Sequence, residues 1–262
     1  MNEQTKVAFI TGSTSGFGLA IARNCAKRKC HLIITGFGDE QTINSIKQEL
    51  SSDGAASCTY VPANLRRRDE VEAMCKEIDS KYPDGVSYLI NNAGFNHVGE
   101  VDGYSVENWD DCVDVMLTAP FLLCRHFLPA MKKKGFGRIV NMASQMGVVS
   151  APGKAVYSAV KHGLVGLTKG IALEVGQFGV TCSAVCPGFA DTVLLRKQME
   201  DLSIKGNVTL EEAKHSFTTS IPTGSLVTIS QVAELVDFLC FSDAGAQMTG
   251  AAYLLDGGFT AQ

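Results

Sequence analysis

Residues 11–18 read TGSTSGFG, and they follow directly on the apolar run KVAFI at 6–10. How this stretch is read decides the fold. Gly12, Gly16 and Gly18 let the chain turn tightly out of a strand, and a helical pattern occupies 18–28. Backbone N–H groups at the start of such a helix can approach a pyrophosphate, with Ser15 and Phe17 in the same turn. A glycine-rich turn alone is a weak signal. As the first strand-to-helix turn of an alternating chain it points to a dinucleotide site.

The rest of the chain supplies that alternation. HLIITG, CTYVP, SYLINN, GRIVNMAS, VTCSAVCP and AAYLLDG are near-continuous in apolar residues, as strands buried on both faces should be. Helical periodicity fills 40–51, 69–81, 106–133, 155–178 and 230–241 between them. Strict alternation predicts α/β architecture: one doubly wound domain of the Rossmann type over 1–262, with a seven-stranded parallel sheet and helices on both faces. Residues 191–224 break the rhythm, with short helical patterns and no strand. An insertion between a strand end and the next helix lies on the carboxyl edge, so it reads as a substrate lid.

Composition narrows the function classes. A net charge of −4 speaks against a nucleic-acid surface. No apolar run approaches the ~20 residues of a membrane span. The N-terminal MNEQTKVAFITGS lacks the layout of a signal peptide. Nine scattered cysteines without a CxxC pair, and only five histidines, predict a reduced intracellular protein, cytoplasmic and without a metal site.

The chemistry gathers downstream. The fourth strand ends in NNAG, with Asn91, Ala93 and Gly94; the fifth ends at Ser144. Tyr157 and Lys161 are four apart, so a helix projects them from one face. A nearby ammonium should stabilise a phenolate and lower the tyrosine pKa. Ser, Tyr and Lys together suit proton transfer at an alcohol or carbonyl oxygen, with hydride exchanged at a nicotinamide. The second strand ends in TGFGD, with Phe37 where an acid would grip ribose and Asp39 slightly late. With no phosphate clamp there NAD is favoured, while Arg66–Arg68 keep NADP open. Asn64 and Leu65 fall where an adenine edge is read.

In order and spacing, Thr11–Gly18, Asn91–Gly94, Ser144, Tyr157, Lys161 and PGFADT at 187–192 make the chain resemble the short-chain dehydrogenase/reductase family. The resemblance covers essentially its whole length. It implies Tyr157 as general acid/base, Lys161 tuning it and holding the nicotinamide ribose, and Ser144 steadying the reacting oxygen. Pro187, Gly188 and Thr192 fall to the cofactor, and a homotetramer is implied. TGSTSGFGLAIA, MKKKGFGRIVNMAS and QMTGAAYLLDGGFTA further resemble the D-3-hydroxybutyrate dehydrogenase branch. By that resemblance Lys154, Gln198 and Asn96 bind the carboxylate of a small hydroxy or oxo acid, beside Met146, Phe189 and Phe259. Met146 stands where the branch has histidine. A reductase for another carbonyl substrate, and a catalytically weak nucleotide-binding regulator, are the rival readings.

Met116 is the second departure, because the family pattern has asparagine there. The resemblance implies that this residue's backbone carbonyl holds a proton-relay water. Pro120, four residues on, has no N–H for that carbonyl. The relay therefore survives through the proline, or it is impaired because Met116 packs as core.

Overall fold

The computed structural model describes residues 6–261. Every expected strand forms: β1 Val7–Ile10, β2 His31–Ile34, β3 Ser57–Tyr60, β4 Tyr88–Asn91, β5 Gly137–Met142, β6 Val180–Pro187 and β7 Ala252–Leu255. All neighbours pair in parallel, in the order β3-β2-β1-β4-β5-β6-β7. The order reverses between β1 and β4, and at such a switch point the loops leaving the two carboxyl ends diverge and open a crevice.

The helices are α1 Gly16–Lys27, α2 Glu40–Ser52, α3 Arg68–Lys81, α4 Val106–Val113, α5 Ala119–Lys134, α6 Ala155–Val175, α7 Val193–Gly206, α8 Leu210–Thr218 and α9 Ile229–Phe241. Ile21, Cys25, Leu50, Val232 and Val236 of α1, α2 and α9 cover one face of the sheet. Met74, Ile78, Leu123, Phe127 and Ile171 of α3, α5 and α6 cover the other. Both faces are thus shielded, which is why the strand sequences run apolar without alternation. Between β6 and α9, α7 and α8 form a small separate cluster around Leu195, Met199 and Ala213. It sits where the lid was expected.

The pattern over 106–133 is not one regular helix. Residues Asp114–Thr118 form a π turn between α4 and α5, and the Ala119 N–H donates to the carbonyl of Asp114, five residues back. Pro120 follows immediately, buried in the first turn of α5. With no N–H at Pro120 the regular ladder cannot close across this point. By length and mean hydropathy alone the run Val106–Lys134 could cross a membrane, although charged residues interrupt it and it holds no long apolar run. Cys112, Met116, Leu123, Phe127 and Met131 from it are buried in the interior.

Candidate active site

The glycine turn is built as its sequence requires. Gly12 and Gly16 have φ of 63° and 53°, in the region that suits glycine. A Cβ on Gly12 would lie 2.9 Å from the Ala93 Cα, and one on Gly18 would lie 2.2 Å from the Gly12 carbonyl oxygen. A Cβ on Gly16 would meet nothing within 4 Å, so that face is open. Ser15, at the N-cap of α1, is exposed and makes no side-chain capping bond. Its hydroxyl and the first N–H groups of α1 remain available to an anion. A pyrophosphate-bearing cofactor fits this cradle.

The cradle is locked from the next loop. Thr11 Oγ1 accepts from the N–H groups of Asn92 (2.9 Å) and Ala93 (3.0 Å). The Asn92 amide donates to the carbonyls of Thr11 (2.8 Å) and Gly12 (3.0 Å). Sequence reasoning took Asn91 for the cofactor and passed over its neighbour. The structure corrects this: Asn91 is 3% exposed, and its amide donates to Asn141 Oδ1 at 2.8 Å. It lies in the core because strand residues alternate faces and it closes β4. The signal was available, since NNAG has two asparagines and only the second falls past the strand.

At the adenosine end, Asp39 caps α2 and accepts from the Thr42 N–H at 2.8 Å, so it is committed locally. Phe37 is 92% exposed at the tip of the crevice. Asn64 is occupied by its own turn, its N–H donating to Glu70 and its Oδ1 accepting from the Arg66 N–H. Leu65 packs against the core. Arg66 pairs with Asp111 at 3.0 Å and Arg67 with Asp69 at 2.9 Å, while Arg68 makes no ion pair among the described residues.

A cleft of ≈ 170 Å³ opens beside this crevice. It is lined by Phe17, Ser144, Met146 and Tyr157, by Pro187, Gly188, Phe189 and Thr192, and by Asn96, Lys154 and Gln198. Residues that sequence spread from 96 to 198 thus share one wall. Phe259 does not line it, contrary to expectation; its ring packs edge-on against Phe189 at 5.6 Å and supports the wall from behind. Thr192 also caps α7, accepting from the Leu195 N–H at 3.3 Å. Gln145 was not foreseen. It lines the cleft at 2% exposure, and its Oε1 lies 2.8 Å from where a Cβ on Gly188 would be.

Ser144 Oγ accepts from the Met146 N–H at 3.1 Å and shares a hydrogen bond with Tyr157. Lys161 was expected to lower the tyrosine pKa; burial acts on the hydroxyl in the opposite direction. Burial pushes the Tyr157 hydroxyl up to about 12, with the Ser144 hydrogen bond offsetting only part. Lys161 is 4% exposed and donates to the Met142 carbonyl at 2.7 Å, with its nitrogen 5.6 Å from the Tyr157 ring centroid. Burial brings its pKa down to about 8. Each group is thereby held toward its neutral form. This arrangement can donate a proton through Tyr157, orient an oxygen with Ser144 and recruit the Lys161 charge when an anion forms.

A doubly wound sheet with a glycine cradle at its switch point, opening beside a serine–tyrosine–lysine cleft, defines a nicotinamide-dependent oxidoreductase. The family model for short chain dehydrogenase matches residues 6–203, and the chain belongs to the short-chain dehydrogenase family. It is an NAD(P)-dependent dehydrogenase. It is 40% identical over 259 residues to a D-beta-hydroxybutyrate dehydrogenase of Rhizobium meliloti (strain 1021), covering 98% of this chain and 100% of that one. It is 33% identical over 255 residues to a 3-oxoacyl-acyl-carrier-protein reductase of Aquifex aeolicus (strain VF5), covering 97% of each. Among solved structures, an actinorhodin polyketide ketoreductase with NADPH superposes with a TM-score of 0.90 at 35% identity, over 98% of both chains.

Proposed function

We propose that the protein interconverts D-3-hydroxybutyrate and acetoacetate with NAD. The observation that carries this reading is Lys154. It lines the cleft with Asn96 and Gln198, and makes no ion pair among the described residues. Burial alone pulls its pKa down. A partly desolvated, unpaired ammonium is relieved by a carboxylate, and the two amides add donors for its second oxygen. Met146 and Leu195, each 5% exposed, give the methyl end an apolar wall with Phe189. A cleft of ≈ 170 Å³ suits a small acid better than a long acyl chain.

A bound nicotinamide would supply or take the hydride. Tyr157 takes or returns the hydroxyl proton, Ser144 holds the oxygen, and the Lys161 charge offsets the phenolate. Gly12, Gly16, Gly18 and Ser15 would hold the pyrophosphate, and Pro187, Gly188 and Thr192 would serve the nicotinamide end. NAD is favoured because Arg66 and Arg67 are already paired with acids. Residues 191–224 act as the lid. The family resemblance implies a homotetramer, with residues 251–262 at an interface.

The second reading, an NADPH-dependent reductase of another oxo acid, is favoured by the acyl-carrier and polyketide reductase relatives. Absorbance of reduced nicotinamide separates the two, with D- and L-3-hydroxybutyrate offered with NAD and NADP. Turnover of the D isomer with NAD is expected. Silence with both isomers and both cofactors would overturn the assignment.

A further inference from the structure

The amino ends of the strands, at the far edge of the sheet from the catalytic cleft, hold a second and wider cavity of ≈ 760 Å³. Lys6 just before β1, and Lys81 and Lys134 at the ends of α3 and α5, line it. Among the described residues Asp84 is the one acid in its lining. Glu77 holds Lys81 at 2.6 Å, whereas Lys6 and Lys134 make no ion pair among the described residues. Lysines at helix carboxyl ends commonly serve the helix dipole. The contacts here point elsewhere. Lys134 Nζ reaches the Ser87 hydroxyl, which also lines the cavity, at 3.4 Å. Lys6 lies on no helix, and its ammonium stands 3.9 Å from the centroid of the Phe136 ring. A ring face attracts an ammonium but leaves its charge unneutralised.

The same ring carries a further cation. Arg138 Cζ lies 4.5 Å from its centroid, and this side chain is 8% exposed, with no ion pair among the described residues and no hydrogen-bond partner for its Nε. Burial pulls the Lys134 pKa down, Asp84 opposes this, and the Lys6 charge adds to the fall. Positive charge thus gathers around Phe136 in excess of the acid that lines the cavity, and a bound anion would relieve it. Hydroxyl and imidazole groups complete the lining: His31 Nδ1 bonds Ser57 Oγ at 2.8 Å, and the Tyr82 hydroxyl bonds Thr59 Oγ1 at 2.8 Å. We propose that this cavity is a second ligand site, which takes a small, multiply charged anion of the phosphoryl class while the cofactor cradle is filled. A phosphoryl group presents several acceptor oxygens at once to ammonium and hydroxyl donors, where a lone carboxylate brings a single charge. The glycine cradle stands at the carboxyl end of β1 and Lys6 at its amino end, so the two sites do not compete.

The test is titration of inorganic pyrophosphate into the protein saturated with NAD, read by calorimetry and by the rise of Tm. Wild type should bind it saturably. The double variant Lys6→Gln/Lys134→Gln should bind about tenfold more weakly or worse, with kcat unchanged. Lys27→Gln/Lys169→Gln, at two exposed lysines elsewhere on the surface, should bind like wild type. Citrate, of similar charge but built of carboxylates, should bind more weakly than pyrophosphate. No saturable binding by wild type overturns the proposal, as does equal binding by the Lys6/Lys134 variant. An equal loss in the Lys27/Lys169 variant overturns it too, because net charge alone would then account for the binding. Citrate binding as tightly as pyrophosphate overturns the phosphoryl class. Should the Lys6/Lys134 variant not fold, Lys134→Gln alone, at an exposed position, decides in its place.

Discussion

Replacing Lys154 by methionine removes the one cation that lines the substrate cleft among the described residues, while keeping most of its stem volume. The ammonium is only partly buried, so the full low-dielectric attraction does not apply, and a charge-assisted hydrogen bond is the better measure. Such bonds are worth about 1.5–3 kcal/mol. At about 1.4 kcal/mol per tenfold, kcat/KM for the hydroxy acid should drop roughly 10- to 150-fold. The loss should sit mainly in KM, because the carboxylate is bound in ground and transition states alike. Cofactor affinity, measured by quenching or titration calorimetry, should stay within about twofold. A neutral analogue, 3-hydroxybutyramide, should lose much less. Equal KM values for the acid in wild type and variant would refute the carboxylate role. An equal loss for acid and amide would show that the stem, not the charge, mattered.

Tyr157→Phe should cut turnover by about 10²–10⁴-fold, as loss of a positioned acid/base does, with cofactor binding retained on titration. Lys161→Met should abolish useful turnover yet raise stability in denaturant at neutral pH by up to about 3 kcal/mol, following the drop of the lysine pKa to about 8. The sign follows from proton counts. Above about 8 the folded lysine binds fewer protons than the unfolded one, so wild-type stability should gain as pH rises toward the ordinary lysine value, and the variant should show no such gain. Asn92→Ala removes two hydrogen bonds from the Thr11 and Gly12 carbonyls and should weaken cofactor binding and lower Tm together. Asp39→Ala should lower Tm by loss of its cap while leaving the NAD to NADP preference unchanged, which kcat/KM with both cofactors would check.

The strands were legible because a doubly covered sheet leaves little choice of residue. VTCSAVCP could only be a central strand, and β6 is buried along its whole length. The Ser144, Tyr157 and Lys161 constellation was legible because helix spacing puts 157 and 161 on one face. What local pattern hides is which way a residue faces at a strand end. Asn91 and Asn92 are chemically identical, and one residue of register sends the first into the core and the second to the cradle. Asp39 looked like a late ribose ligand, yet a helix begins directly after it and uses it as a cap. The π turn was foreshadowed by Pro120, although the pattern alone read as one helix. Nothing in the sequence showed that burial would hold Tyr157 and Lys161 toward their neutral forms, because that depends on the Cys112 and Cys186 surroundings gathered from distant segments.

The ring of Phe189 has a consequence for how the substrate range of such a protein can drift. It meets Phe217 of α8 edge-on at 5.2 Å and Phe259 near the C-terminus at 5.6 Å. Three segments far apart in the chain therefore share one wall, and none of them owns it. Widening the cleft by truncating Phe189 alone would strand two aromatic edges, trading a new substrate for a loosened lid. The unit of innovation is the trio, and a library aimed at longer hydroxy acids should vary 189, 217 and 259 together.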